Sequence, residues 1–406
     1  GLIGANGELL GNPYHYRDHH TDGMMEEVFA VIPKEEIFRR SGIQFLQFNT
    51  IYQLAALKKA GSPLLEQAET LLMIPDLLRY FMTGERVGEF TNATTTQLFH
   101  PLQCEYDSVL LGKLGIPRSL FPDVVRAGTR VGELRPQVRR ELGVPAVPVI
   151  AAAEHDTGSA VAAIPSRQRD FAYLICGTWS LMGTEVEEPL LSEEALALNF
   201  TNEGGAYGTY RLLKNIMGLW ILEECRRTWL KEGMNLTYEA MLEEARRAPA
   251  FQSWIDPDAA VFLNPGHMPN AIRAYCRDTG QAEPEGVGPI LGCVLESLAL
   301  KYRCVFEGIE RLTGKRFSGL HMAGGGIRNR LLCRFTADAL GKPVWAGPAE
   351  SSAIGNVIVQ LITHGQIRDI WQAREIVGDS FSIVQYMPEG HDQWDEAYRD
   401  YVGRLL

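Results

Sequence analysis

The chain has 406 residues, 46% of them hydrophobic and 22% charged, with a formal net charge of -11. That length exceeds one ordinary core and fits roughly two large domains. The acidic balance argues against a broad nucleic-acid-binding face, which needs a basic stripe. No apolar run approaches the ~20 residues of a membrane span. The cysteines at 104, 176, 225, 276, 293, 304 and 333 show no CxxC spacing, so neither a zinc site nor a disulfide framework is expected. No basic start followed by a long apolar core opens the chain, and the reading is a protein of the reducing cytoplasm.

From the front, residues 2 to 10 read as a β-hairpin closed on Asn6-Gly7, a strong two-residue turn signal. A chain that opens inside a strand is expected to be truncated. Residues 12 to 23, NPYHYRDHHTDG, form a surface loop leading into a helix capped by Thr21 or Asp22. Arg17, Asp18, His19 and His20 in it are either an ordinary solvated loop or contacts for a polyhydroxylated ligand. Residues 34 to 100 read as mainly helical, with Phe45, Phe48, Ile51, Leu54 and Leu57 recurring every three to four positions. Gln44 and Asn49 interrupt that stripe. The TNATTTQLF patch, 91 to 99, suits sugar hydroxyls or serves turns and caps.

Prolines at 117, 122, 136, 145 and 148 mark an irregular excursion that returns to an apolar strand over 147 to 153. Glu154, His155 and Asp156 stand at its carboxyl end, where open α/β sheets bind ligands. A small-residue helix starts at Thr157, and its N-terminal dipole favours an ionised carboxylate beside it. Asp156 is therefore a general base at a ligand crevice or, like Thr157, simply a helix cap. Residues 164 to 170, IPSRQRD, read as a linker, which divides the chain into domains 1 to 165 and 166 to 406.

The second half opens with a strand to Cys176, a turn at Gly177-Thr178 and a return strand from Ser180 to Val186. Such a tip offers backbone N–H groups and a hydroxyl to a phosphate, or is merely a turn. Gly204 and Gly205 bend the chain before an expected helix in which Asn215 lies among Leu212, Ile216, Leu219 and Trp220, its amide in need of a partner. A long amphipathic helix covers 286 to 312. Then come a strand (318 to 323), the turn Gly324-Gly325-Gly326, a helix (328 to 340), a strand (343 to 346) and a helix (352 to 363). Three glycines at a strand's carboxyl end admit a phosphate close to the backbone, with a helix N-terminus behind it. The pattern is not GxGxxG, and a dinucleotide fold is disfavoured.

The segments SGIQFLQFNTIYQL, TNATTTQL, AAAEHDTGSAVAA, CGTWSLMG, TNEGG, YRLLKNIMGLW, HMAGGGIRNRLL and AESSAIGN span nearly the whole chain, and together they resemble the FGGY carbohydrate kinase family. LKNIMGLW and the Phe-Asn-Thr helix bring it nearer to the branch that phosphorylates L-rhamnulose than to glycerol or xylulose kinases. The resemblance implies an α/β fold of two ribonuclease-H-like domains, of the actin and hexokinase type, with a central cleft for sugar and ATP with Mg2+. It makes Asp156 the base at the sugar 1-hydroxyl, with His155, Thr157 and Asn215 on the sugar. Thr178, Gly324, Gly325, Gly326 and Asn329 would hold ATP, and no metal ligand is identified. Glu223 stands where the branch more often has an amide. The family's first phosphate-gripping hairpin would lie upstream of Gly1, and a chain without it is expected to be inactive, or nearly so, by itself. A kinase for fuculose or xylulose and a non-catalytic sugar-binding relative are the alternatives.

Overall fold

The computed structural model describes residues 1–406. Contacts divide the chain into two compact units, the first made of residues 1–163, 185–213 and 352–375, the second of 164–184, 214–351 and 376–406. No helix is long and apolar enough to cross a membrane.

In the first unit, Leu2–Ile3 pairs antiparallel with Thr70–Leu71. The Leu10 amide returns to the Leu2 carbonyl (2.9 Å), closing the loop around Asn6-Gly7. The helix after the polar loop begins at Met24, behind Gly23 in the left-handed region, and neither Thr21 nor Asp22 caps it. Asp18 instead caps the short turn His19–Thr21. The stripe around Phe45 is only half helical. Gly42 ends the helix Lys34–Ser41 in a left-handed conformation, and the next helix, Thr50–Lys59, starts beyond Phe48. Gln44 and Asn49 are buried: the Asn49 amide donates to the Gln44 carbonyl and to Gln97 Oε1, and Gln97 donates to the Ile43 carbonyl. These amides therefore serve buried backbone that the irregular segment leaves unpaired.

The strand before Asp156 is shorter and less buried than its apolar letters imply. Pro148–Ala151 pairs antiparallel with Thr129–Glu133, with a bulge between Arg130 and Gly132, and only Ala151 of the four is buried. It is a strand of a two-stranded ribbon rather than of an open parallel sheet, a setting in which a proline without an N–H is tolerated. The small-residue helix is present as Asp156–Ala162, buried from Thr157 onward. Its small side chains let neighbours approach: Ser159 Oγ donates to the Ala153 carbonyl (2.7 Å). The buried Arg374 guanidinium donates to the Val161 carbonyl (3.2 Å) and to Glu185 Oε2 (2.7 Å), supplying positive charge where the helix dipole ends.

In the second unit, Trp179–Val186 pairs antiparallel with Ala172–Cys176 in the register Ser180↔Cys176. Leu320–Ala323 lies parallel to Ala172–Cys176 on one side and to Val344–Ala346 on the other. Val384–Tyr386 closes the edge antiparallel. All five residues of Ala172–Cys176 are buried, as a strand with neighbours on both edges and faces should be. The helix Val287–Thr313 buries Ile290, Val294, Leu298, Tyr302, Val305 and Ile309 along one stripe. The helix Arg330–Leu340 packs beside it.

Candidate active site

The corner at Glu154-His155-Asp156 is held by a buried polar network in the first unit. Arg79, 2% exposed, donates to Glu154 Oε1, to Asp76 Oδ1 (3.0 Å) and to the Val87 carbonyl (2.5 Å). Glu89 Oε2 accepts from the Thr91 amide (2.9 Å), the Thr91 hydroxyl (2.5 Å) and the Glu154 amide (3.1 Å). Thr91 Oγ1 accepts in turn from the His155 amide (3.0 Å). Burial pushes Asp76 up to about 6 and Glu89 up to about 7. The hydroxyl patch, expected to serve either sugar hydroxyls or turns and caps, is largely taken up here and nearby: Thr91 fixes the corner's backbone, and Thr94 Oγ1 accepts from the Gly204 amide (2.8 Å).

Asp156 differs from its carboxylate neighbours. It is the first residue of its helix, and His155, the residue before it, makes no side-chain cap. Its side chain is 85% exposed, against 2% for Asp76 and 9% for Glu154. Oδ1 accepts from the Thr157 amide (2.7 Å) and lies 3.4 Å from the Thr157 hydroxyl and 3.6 Å from His155 Nδ1. Thr157 is itself buried, so of the corner's groups the Asp156 carboxylate faces outward, while the His155 side chain is 21% exposed. Burial holds the His155 imidazole below its usual range, outweighing the pull of Glu203.

In the second unit the glycine turn and the Thr178 tip meet at Cys176. Gly324 has φ +87, and a Cβ on it would lie 2.8 Å from the Cys176 carbonyl oxygen. A Cβ on Gly326 would lie 2.4 Å from Cys176 Sγ, whereas one on Gly325 would meet nothing within 4 Å. Two glycines thus seat the turn on the end of a strand, and the middle one stays open. Thr178 is exposed at the hairpin tip, and its carbonyl is held by the Gly218 (3.2 Å) and Trp220 (3.1 Å) amides. Asn329 is fully buried, and its side chain caps the helix Arg330–Leu340 by accepting from the Leu332 amide (3.0 Å). Asn215 is half-buried in the strand Tyr210–Met217; the expected helix begins only at Trp220. Glu223, on that helix, is paired with Arg226 (2.7 Å).

Sequence reasoning passed over the pair behind His155. Glu203 and Arg211, 3% and 0% exposed, stand opposite one another on antiparallel strands with Arg211 Nη2 3.0 Å from Glu203 Oε2. The signal available was a pair of opposite charges, Glu203 and Arg211, one on each arm of a short hairpin.

The fold is that of the sugar kinases among solved structures. The xylulose kinase of Lactobacillus acidophilus matches with a TM-score of 0.80 at 16% identity, over 99% of this chain and 81% of that one. Plasmodium falciparum glycerol kinase matches at 0.76 and 14%, over 100% and 81%. Residues 2–163 match the N-terminal domain, and residues 172–364 the C-terminal domain, of the FGGY family of carbohydrate kinases. The chain belongs to that family, and it is a carbohydrate kinase that uses ATP. Among individual relatives, the rhamnulokinase of Bacteroides thetaiotaomicron is 45% identical over 397 residues, 98% of this chain and 81% of that protein. The rhamnulokinase of Oceanobacillus iheyensis is 43% identical over 385 residues, 95% and 81%.

Proposed function

We propose that the enzyme transfers the γ-phosphoryl group of ATP to the 1-hydroxyl of L-rhamnulose, in rhamnose catabolism, with Asp156 as general base. The observation that carries the reading is the contrast among the corner's carboxylates: Asp76, Glu89 and Glu154 are enclosed around Arg79 and Thr91, while the Asp156 side chain stands 85% exposed. A base must reach the proton it takes, and among these carboxylates only Asp156 has an open approach. The identity to rhamnulokinases over nearly the whole chain supports the choice of sugar.

His155, Thr157 and Asn215 are assigned to the sugar. Thr157 acts through Asp156, since its amide and hydroxyl fix one carboxylate oxygen and leave the other to the substrate. Thr178, Gly324, Gly325 and Gly326 are assigned to the nucleotide phosphates, with the open Gly325 as the point of closest approach. Asn329 acts on the same site by anchoring the helix N-terminus behind the turn. Magnesium enters as MgATP, and no side chain of this chain is assigned to it. A donor drawn from the metabolic ATP pool goes with a cytoplasmic enzyme. Phosphoryl transfer rests on positioning and charge neutralisation, so a correctly placed acceptor oxygen is most of what Asp156 has to provide.

Coupled ADP detection on the purified protein tests the reading. L-rhamnulose should exceed L-fuculose and D-xylulose in kcat/KM, and Asp156→Asn should lower kcat at least ~100-fold. Near-normal turnover in Asp156→Asn would remove the base from the assignment, and a preference for another ketose would remove the sugar.

A further inference from the structure

Lys301 puts a charge in the middle of the apolar helix Val287–Thr313, and only 5% of the residue is exposed. A buried ion pair gives a core little that apolar side chains would not, because desolvation offsets the attraction. Its use lies in what the pair holds. Lys301 Nζ stands 2.8 Å from Asp256 Oδ1 and 3.2 Å from Asp258 Oδ2, and the other oxygen of Asp258, Oδ1, accepts from the Met217 amide (3.0 Å). Three residues further, the Trp220 indole donates to the Phe262 carbonyl (3.2 Å). Asp258 and Phe262 thus grip both ends of the turn between the strand Tyr210–Met217 and the helix Trp220–Lys231. The remaining charge of the cluster is Lys214. Although burial pulls the Lys301 ammonium down, Asp258 and Asp256 raise it above its ordinary range, so the clamp stays charged.

That turn carries the Thr178 hairpin. The Gly218 (3.2 Å) and Trp220 (3.1 Å) amides donate to the Thr178 carbonyl, and the Leu219 amide donates to the Gly177 carbonyl (3.1 Å). A Cβ on Gly218 would lie 2.8 Å from the Trp179 carbonyl carbon and 2.9 Å from the Ser180 nitrogen, so the two segments meet backbone to backbone. We propose that Asp258, clamped by Lys301, is a positioning residue for the nucleotide: through the Met217 amide it fixes the turn 217–220, and through that turn the hairpin Gly177-Thr178. This role rests on Thr178 facing the nucleotide phosphates. An ammonium only donates, so Lys301 takes one oxygen of Asp258 and sets the other toward the backbone. A hairpin displaced by an ångström would lose its placement on the phosphates, which is most of what phosphoryl transfer asks of it.

Hydrogen exchange resolved to single amides reads the grip directly. In the unsubstituted enzyme the Met217, Gly218 and Trp220 amides should exchange slowly, and rapid exchange there overturns the proposal whether or not any variant folds. Asp258→Asn removes the acceptor at nearly constant volume, because the Lys301 ammonium draws the amide oxygen and leaves the amide nitrogen, a second donor, facing Met217. In that variant the three amides should exchange faster, and calorimetry should find MgADP bound ~10-fold more weakly with the affinity for L-rhamnulose unchanged. A merely structural aspartate would move both affinities together, so equal losses overturn the proposal. So does an Asp258→Asn protein with unaltered exchange or unaltered MgADP affinity. Thr178→Ala separates this from the parent reading: unchanged MgADP affinity there would dismiss Thr178 as a phosphate contact, while exchange in Asp258→Asn would still report whether Asp258 holds the hairpin.

Discussion

Gly355 lies so close to Ser159 that a Cβ built on it would stand 1.7 Å from the Ser159 carbonyl oxygen. Two helices, Ser351–Thr363 and Asp156–Ala162, therefore meet backbone to backbone, and the segment carrying Asp156 is located by a residue almost two hundred positions later in the chain.

Gly355→Ala should destabilise the enzyme although alanine is the better helix former. The propensity gain is at most ~1 kcal/mol, whereas the clash is with rigid backbone and overpacking of that kind costs ~3 kcal/mol or more. Separating the helices also shifts Asp156, so kcat should fall along with Tm. Thermal melts beside steady-state rates check this, and an unchanged Tm would show that the contact is looser than drawn.

The glycine turn makes a sharper contrast, because its members differ in what surrounds them. Gly326→Ala drives a methyl group toward Cys176 Sγ and the Cys176 carbonyl, so it should lower Tm and displace the turn from the Thr178 hairpin. Gly325→Ala meets nothing in the protein and should leave Tm within about 1 °C of the parent, consistent with the small effect of most exposed substitutions. If the phosphates approach the backbone at Gly325, that silent variant should nevertheless raise the KM for MgATP several-fold while leaving the KM for the sugar alone. A Gly325→Ala enzyme with unaltered nucleotide kinetics would place the phosphates elsewhere.

Much of the second unit was legible because its signals are local. The strand into Cys176, the hairpin at Gly177-Thr178, the glycine turn and the helices around it are written in apolar runs and glycines, and they lie within a residue or two of where the letters put them. Asn215 was misread because both faces of the strand Tyr210–Met217 are largely buried, which erases the alternation that separates strand from helix. The hydroxyls of residues 91 to 96 suited ligand contacts as well as turns and caps; they mostly donate locally, to the Glu89 carboxylate and to carbonyls three residues back, while Thr91 and Thr94 also accept from the distant His155 and Gly204 amides. Membership of residues 185–213 and 352–375 in the first unit has no local sign at all, since it follows from long-range packing such as Gly355 on Ser159 and Arg374 on Val161. The base candidate was visible as a residue. What marks it out from Glu154 two positions earlier is the placement of Arg79.

That same Arg79 sets the last prediction. Around one guanidinium lie three carboxylates, Asp76, Glu89 and Glu154, all within a poorly solvated region. One positive charge does not balance three negative ones, and burial pushes Glu89 up to about 7, above the ~4.3 of an exposed glutamate. Because the folded value is the higher one, the folded state retains a proton that the unfolded chain gives up. The stability linked to Glu89 is thus fully present below about pH 4 and is lost as pH rises through about 7. Glu89→Gln removes the titration while keeping an acceptor oxygen for the Thr91 and Glu154 amides. Its Tm relative to the parent should therefore rise from about pH 5 to about pH 8, by an amount worth on the order of 2 kcal/mol. The pair of melting curves across that range is the measurement. A difference in Tm that stays constant with pH would mean that Glu89 is charged throughout and that its proton is held by another member of the cluster.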